Sequence, residues 1–349
     1  MFGRSRGGLS GLGRLVGLCL LIAGVGLAGA GLWAYNHYTS PGPLQAETDV
    51  LIRPGANSAE IAHQLAVAGV LTRPTIFQIG VRLEGAGGAL RAGEYVFPPR
   101  VSPHQVAQIL RSGKTIVRRV TVPEGLTSKQ IIALLKTTPG LKGETPAPPP
   151  EGTLLPETYH FSYGDDREEL VSRMSAAMDA TLAELWSARA EDLPFDSLHE
   201  ALTLASIVEK ESALPQERAR IAGVFVNRLR KGMPLQADPT VIYAVTDGEG
   251  VLPRPLTRAD LRSPSPYNTY VSGGLPPGPI ANPGRNAIEA VLNPAETDAL
   301  FFVADGSGGH AFARTLEDHN RNVARWRQLE AKRESGAGRD GEVEQTNTE

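Results

Sequence analysis

Apolar and polar positions alternate in distinct modes along this chain of 349 residues. Leu15 to Tyr35 run without a charged residue, which is about the length of a helix that crosses a bilayer core. From about residue 48 to 138 a phrase recurs, as "LIRPGANSAEIAHQL", "YVFPPRVSPHQVAQIL" and "VTVPEGLTSKQIIALL". Each copy has a short β-rich run, a proline turn and a capping-box signature: Asn57 with Glu60, Ser102 with Gln105, Thr127 with Gln130. Each then sets an apolar pair four residues apart, Ile61 with Leu65, Val106 with Leu110 and Ile131 with Leu135. Three strand–helix units are expected there.

A second pattern begins after the proline-rich stretch 139–156, "PGLKGETPAPPPEGTLLP". A helical run starts at Arg167, and "LASIVEKES" (204–212) follows it. Leu202, Leu204, Ala205, Ile207 and Val208 cover the whole circumference of a helix, the pattern of one buried in a domain centre. That helix ends in two carboxylates, Glu209 and Glu211, with Pro215 just beyond. The next helix carries Ile221, Val224, Phe225 and Leu229 on one face and closes at Gly232. Asp238-Pro239 opens a short helix, residues 263–284 form a long Pro/Gly-rich loop, and "FFVADGSGGHAFAR" reads as a β-hairpin.

These elements predict an α+β protein: an N-terminal transmembrane helix, a strand–helix subdomain, then a second, mixed α/β domain with long Pro/Gly-rich loops. The expected divisions are 1–14 cytoplasmic, 15–35 transmembrane, 36–47 linker, 48–138 strand–helix domain, 139–156 proline-rich linker, 157–332 a second domain, which the resemblance given below makes catalytic, and 333–349 a polar, disordered tail. Arg4, Arg6 and Arg14 precede the apolar stretch and nothing basic follows until Arg53, so the short end stays cytoplasmic and the bulk is exported. A cleavable signal peptide with small residues around Ala28 and Ala30 is the alternative, but its apolar region would be unusually long.

Composition narrows the chemistry. With a formal net charge of −3 and no long basic block, nucleic acid is not an expected partner. The single cysteine, Cys19, lies inside the apolar stretch, so the exported part has no thiol chemistry and no disulfide. The histidines show no metal-ligand spacing, "DGSGGH" lacks the lysine of a phosphate loop, and Ser206 has no nucleophile elbow around it. No metal and no cofactor are expected. The carboxylates remain. Glu209 and Glu211 lie about 200° apart on a regular helix and cannot both face one substrate. One can be structural, paired with an arginine such as Arg218 or Arg228, while the other faces a cleft with a pKa raised by desolvation, as a general acid requires.

"ASIVEKES", "ERARIAGVFVNRLRKGMPLQADPTVIYA", "SPYNTY", "GLPPGPIANPG" and "FFVADGSGGHAF", in this order after an apolar N-terminal stretch, resemble the MltG (YceG-like) family of bacterial endolytic murein transglycosylases over roughly residues 48–330. The resemblance implies a LysM-like N-terminal part and a catalytic glutamate at Glu211, the second of the E-K-E-[ST] motif, followed by Ser212. It also implies cleavage of the β-1,4 bond between N-acetylmuramic acid and N-acetylglucosamine without water, giving 1,6-anhydro ends. Implied partners are peptidoglycan strands, the bilayer through residues 15–35 and penicillin-binding synthases, at the bacterial inner membrane with the catalytic domain periplasmic.

On that reading Gln236, Asp238, Thr240, Tyr267, Asn268, Thr269, Tyr270 and Asn282 are expected to contact sugar along with Ser212. Glu209, Glu157 and His310 are candidate supporting groups. Two alternatives stand beside it: a muramidase in which Asp238 or Glu157 completes a carboxylate pair, and a catalytically silent, membrane-tethered glycan binder.

Overall fold

The computed structural model describes residues 12–85, 90–212 and 214–343, and the chain divides into two compact units. The first comprises residues 1–118 with 162–164, the second 119–161 with 165–349.

The first unit opens with α1 (Leu12–Thr39), whose Leu15–Thr39 stretch is long and apolar enough to cross a membrane and whose most apolar part no other element buries. There follow β1 (Thr48–Ile52), α2 (Ser58–Val67), α3 (Pro74–Leu83), β2 (Gly93–Phe97) and α4 (Pro103–Ser112). β1 and β2 pair antiparallel, from Thr48 opposite Phe97 to Ile52 opposite Gly93. Ile52, Leu65, Phe77, Tyr95, Phe97 and Leu110 fill the core beneath them. Capping boxes close the N-termini of α2 and α4 at Asn57/Glu60 and Ser102/Gln105, satisfying three backbone N–H groups in the first and two in the second.

The second unit contains the last three residues of β3 (Val117–Thr121), then α5 (Ser128–Thr137) and most of β4 (Thr158–Ser162), which pairs with β3. The third strand–helix phrase, expected to belong with the other two, thus falls in a different unit. The reason is packing: Val120, Ile131 and Leu135 share a core with Leu170 and Met174 of α6 (Arg167–Ser187). The proline-rich stretch is therefore no boundary in this fold; Leu154 within it is fully buried and donates its N–H to Asn282 Oδ1 at 2.9 Å.

The centre of this unit is α7 (Leu198–Glu211), packed against α8 (Arg218–Arg230), α9 (Asp238–Thr246) and α10 (Arg285–Leu292). Ser197 and Glu200 form its capping box, and every residue from Ala201 to Glu209 is buried. Burying side chains such as Leu204, Ile207 and Val208 contributes about 1.5–3 kcal/mol each, which is what holds this helix in place through its polar last turn. β5 (Phe301–Ala304) and β6 (His310–Ala313) form an antiparallel hairpin, with Phe302 opposite Phe312. α11 (Leu316–Val343) follows. Of the tail expected at 333–349, residues 344–349 lie outside the described ones.

Candidate active site

Glu209 and Glu211 part company as the helical geometry requires. Glu209 turns inward, where its Oε1 accepts from Arg218 Nη2 at 2.8 Å and its Oε2 from the Gly284 N–H at 2.9 Å. The same Arg218 nitrogen reaches Glu124 Oε2 at 2.9 Å, so one buried guanidinium ties α7, α8 and the turn between β3 and α5 together. Burial raises the Glu209 pKa, opposed by the Gly284 hydrogen bond and by Arg218. This glutamate is a brace.

Glu211, in the last turn of α7, faces a cavity of about 420 Å³ instead. Its half-buried carboxyl makes no hydrogen bond or ion pair with the described residues. Burial, and next the charge of Asp238, push its pKa up from 4.5 to about 8, while Arg228 pulls the other way. α7 stops there because Ser212 turns to extended backbone and its Oγ donates to Leu214 O at 2.8 Å.

The other walls come from five further segments. Arg228, buried on α8, spends its Nε on Leu300 O at 2.7 Å and its Nη1 on Leu235 O at 2.8 Å, with no carboxylate in ion-pair reach among the described residues. Asp238 opens α9, and its Oδ1 accepts the Tyr270 hydroxyl at 2.6 Å, fixing both side chains on the rim. Gln236 lines the cavity with a left-handed backbone, φ 52°, and donates its N–H to Thr269 O at 3.1 Å. From the hairpin come Phe302 and His310, and from α11 comes His319. His310 is held twice by Glu217, whose Oε2 lies 2.7 Å from Nδ1 and whose Oε1 accepts the His310 N–H at 3.1 Å. His319 stacks on Phe301 at 5.2 Å; burial and the charge of Arg228 lower its pKa.

Of the residues expected here, Glu211, Gln236, Asp238, Tyr270 and His310 meet at one cavity. The rest lie outside it, each for a visible reason. Asn268 is fully buried and gives its Nδ2 to the carbonyls of Leu261 and Ser263, at 3.2 and 2.9 Å, while its Oδ1 accepts the Tyr270 N–H: it shapes the loop that carries Tyr270. Thr269 and Thr240 are buried and bonded to each other at 2.9 Å beneath Ala237. Asn282, fully buried, joins Leu154 and Leu126. Tyr267 packs on Tyr243, with ring centroids 4.9 Å apart. Ser212 is buried and committed to the turn. Glu157 is exposed, its carbonyl accepting from Val122 N–H. No cluster of three or more metal-ligating side chains occurs among the described residues.

A profile of the YceG-like family matches residues 50–325. The chain belongs to the YceG-like family. It is 34% identical, over 304 aligned positions covering 78% of it and 83% of the relative, to an endolytic murein transglycosylase of Bacillus subtilis (strain 168). An endolytic murein transglycosylase of Streptococcus pneumoniae serotype 2 (strain D39) is 32% identical over 89% of this chain, which spans 64% of that longer protein. Among solved structures, a YceG-like protein of Listeria monocytogenes superposes with a TM-score of 0.51 at 32% identity, covering 79% of this chain and 99% of its own. Arg228, Phe302 and His319 join the cavity lining without having been singled out as site residues from the sequence, and Glu217 holds His310 from behind.

Proposed function

We propose that this chain is an endolytic murein transglycosylase, a lyase that cuts the β-1,4 bond from N-acetylmuramic acid to N-acetylglucosamine, with Glu211 as acid and then base. The supporting observation is that, of the two carboxyls on the cavity, Glu211 makes no hydrogen bond with the described residues and has its pKa raised to about 8, whereas Asp238 is held by Tyr270. Neutral at pH 7, Glu211 gives its proton to the glycosidic oxygen as the C1–O4 bond breaks. The positive charge that develops at C1 of the muramic residue sits over the new carboxylate. That carboxylate then takes the proton of the C6 hydroxyl while O6 bonds to C1, closing the 1,6-anhydro ring and restoring the acid. Arg228 opposes the loss of negative charge at Glu211 and so eases the intermediate state. Gln236, Asp238, Tyr270 and His310 offer hydrogen bonds to sugar hydroxyls and acetamides, and Phe302 an apolar surface.

The wider reading is an enzyme anchored by α1 in the inner membrane, cutting nascent strands near penicillin-binding synthases and so limiting strand length. The 48–138 region is LysM-like in this reading. A hydrolytic variant draws on one observation, the second carboxylate of Asp238 on the same cavity, though it is bound to Tyr270. Mass spectrometry of products from purified glycan strands decides between them. Anhydro-muramic ends made by the wild type and absent with Glu211→Gln support the proposal; reducing ends make the protein a muramidase, and intact strands from the wild type make it a binder.

A further inference from the structure

Outside the catalytic cavity, the first unit presents an apolar groove of about 280 Å³ between α1 and α3. One wall is Gly31, Ala34 and Tyr35 of α1, the other Ile79, Gly80 and Leu83 of α3. Ile79 and Leu83 are four apart on one helix face and stay 49% and 83% exposed, although Phe77 and Val81 on the opposite face are fully buried. A surface helix that is apolar on both sides calls for a second apolar environment.

The position of that face along α1 is fixed. Gly80 sits against the Tyr38 ring so closely that a Cβ would collide with it, and Tyr38 is itself buried. At about 1.5 Å per residue a bilayer core of about 30 Å takes about 20 residues, which from Leu15 ends near Ala34. Ile79 and Leu83 therefore flank the part of α1 that leaves the hydrocarbon. Arg73, whose guanidinium lies 5.0 Å over the Trp33 ring, and exposed Arg82 sit near the two ends of α3, where headgroup phosphates would lie.

We propose that α3 is a second membrane contact, lying in the outer boundary of the bilayer that α1 enters, with acyl chains in the groove and lipid phosphates on Arg73 and Arg82. It rests on the reading of α1 as an anchor. The groove is continuous with the uncovered apolar surface of α1, which makes lipid its occupant. Such a contact holds the first unit against the membrane surface, where a single spanning helix would leave it free to tilt.

The test uses the full chain in phosphatidylcholine/phosphatidylglycerol vesicles, with Cys19→Ser removing the only native cysteine. A nitrobenzoxadiazole label is placed singly at Ile79→Cys, Leu83→Cys, Leu18→Cys (inside α1) and Lys114→Cys (exposed, on the loop after α4). Lipids carrying a nitroxide at a shallow acyl position are expected to remove at least about half of the emission at positions 79 and 83, with a blue shift, and to leave position 114 unchanged. Quenching at 18 with none at 79 and 83 overturns the inference and spares the anchor. A blue shift at 79 and 83 without quenching also overturns it, since a protein surface then covers the groove. No quenching at 18 defeats the anchor and the inference together.

Discussion

Replacing Glu211 by glutamine removes an acid whose ionisation the fold resists, so the variant should be more stable than the wild type under alkaline conditions. The sign follows from linkage. The folded pKa, about 8, lies above the unfolded value of 4.5, so between these limits the native state holds one proton more than the unfolded chain. Stability tied to Glu211 is thus complete below about pH 4.5 and declines as pH rises through about 8. At about 1.36 kcal/mol per unit the ceiling is between 4 and 5 kcal/mol, and the partial exposure of Glu211 to solvent brings this to roughly 2–3 kcal/mol. Glutamine loses no hydrogen bond, because Glu211 makes none with the described residues. Urea unfolding of the full chain in detergent, with Trp33 and Trp326 replaced by phenylalanine so that Trp186 on α6 alone reports by fluorescence, gives the difference directly. Wild type and variant should coincide near pH 4.5 and diverge by roughly 2–3 kcal/mol at pH 8.5, the variant being the more stable. Parallel pH curves, or a less stable variant at pH 8.5, would refute the claim that burial and Asp238 hold this carboxyl neutral.

Further outcomes follow from the same geometry. Glu211→Gln should lower kcat by roughly 10²–10⁴ with little change in strand binding, read by product release and by pull-down on glycan. Asp238→Asn removes the charge that helps raise the Glu211 pKa, so the alkaline limb of the kcat/KM profile should move to lower pH; Arg228→Met should move it to higher pH. Glu209→Ala leaves buried Arg218 with Glu124 alone and should cost about 3–5 kcal/mol of stability, measured by urea unfolding. Gly284→Ala pushes a Cβ into the carboxylate of the partly exposed Glu124, whose side chain can swing aside at the expense of its bond to Arg218, and should cost about 1 kcal/mol by the same assay.

What the chain reveals before folding is mostly local. The three capping boxes are satisfied within four residues each, so their partners are visible as letters, and the all-round apolar face of α7 announces its burial. The opposite directions of Glu209 and Glu211 follow from helical pitch alone. Asn268 and Asn282 show where such reading stops. A polar side chain on a Pro/Gly-rich loop has the same appearance whether it meets a sugar or spends its donors on neighbouring carbonyls, and both do the latter. Arg228 was visible only as a potential partner for a glutamate; its placement beside Glu211, held by the carbonyls of Leu235 and Leu300, depends on segments distant in sequence. His319 carries no signal at all, because α11 brings it to the cavity from beyond the hairpin. The assignment of the third strand–helix phrase to the second unit depends on Leu170 and Met174, which nothing in the phrase itself announces.

The stopping point of α7 bears on its chemistry through the backbone as well. A helix gathers partial negative charge at its C-terminal end, from carbonyls with no N–H to accept, and that field disfavours an anion placed beside it. Glu211 occupies the final helical position, so the peptide groups of α7 themselves favour the protonated acid, in addition to what burial and Asp238 do. Ser212, by turning the chain and bonding to Leu214 O, sets where that negative pole lies. A substitution that let the helix wind on by one turn would bury the same carboxyl mid-helix, away from the pole, and would change its acidity without touching a single side chain in the cavity.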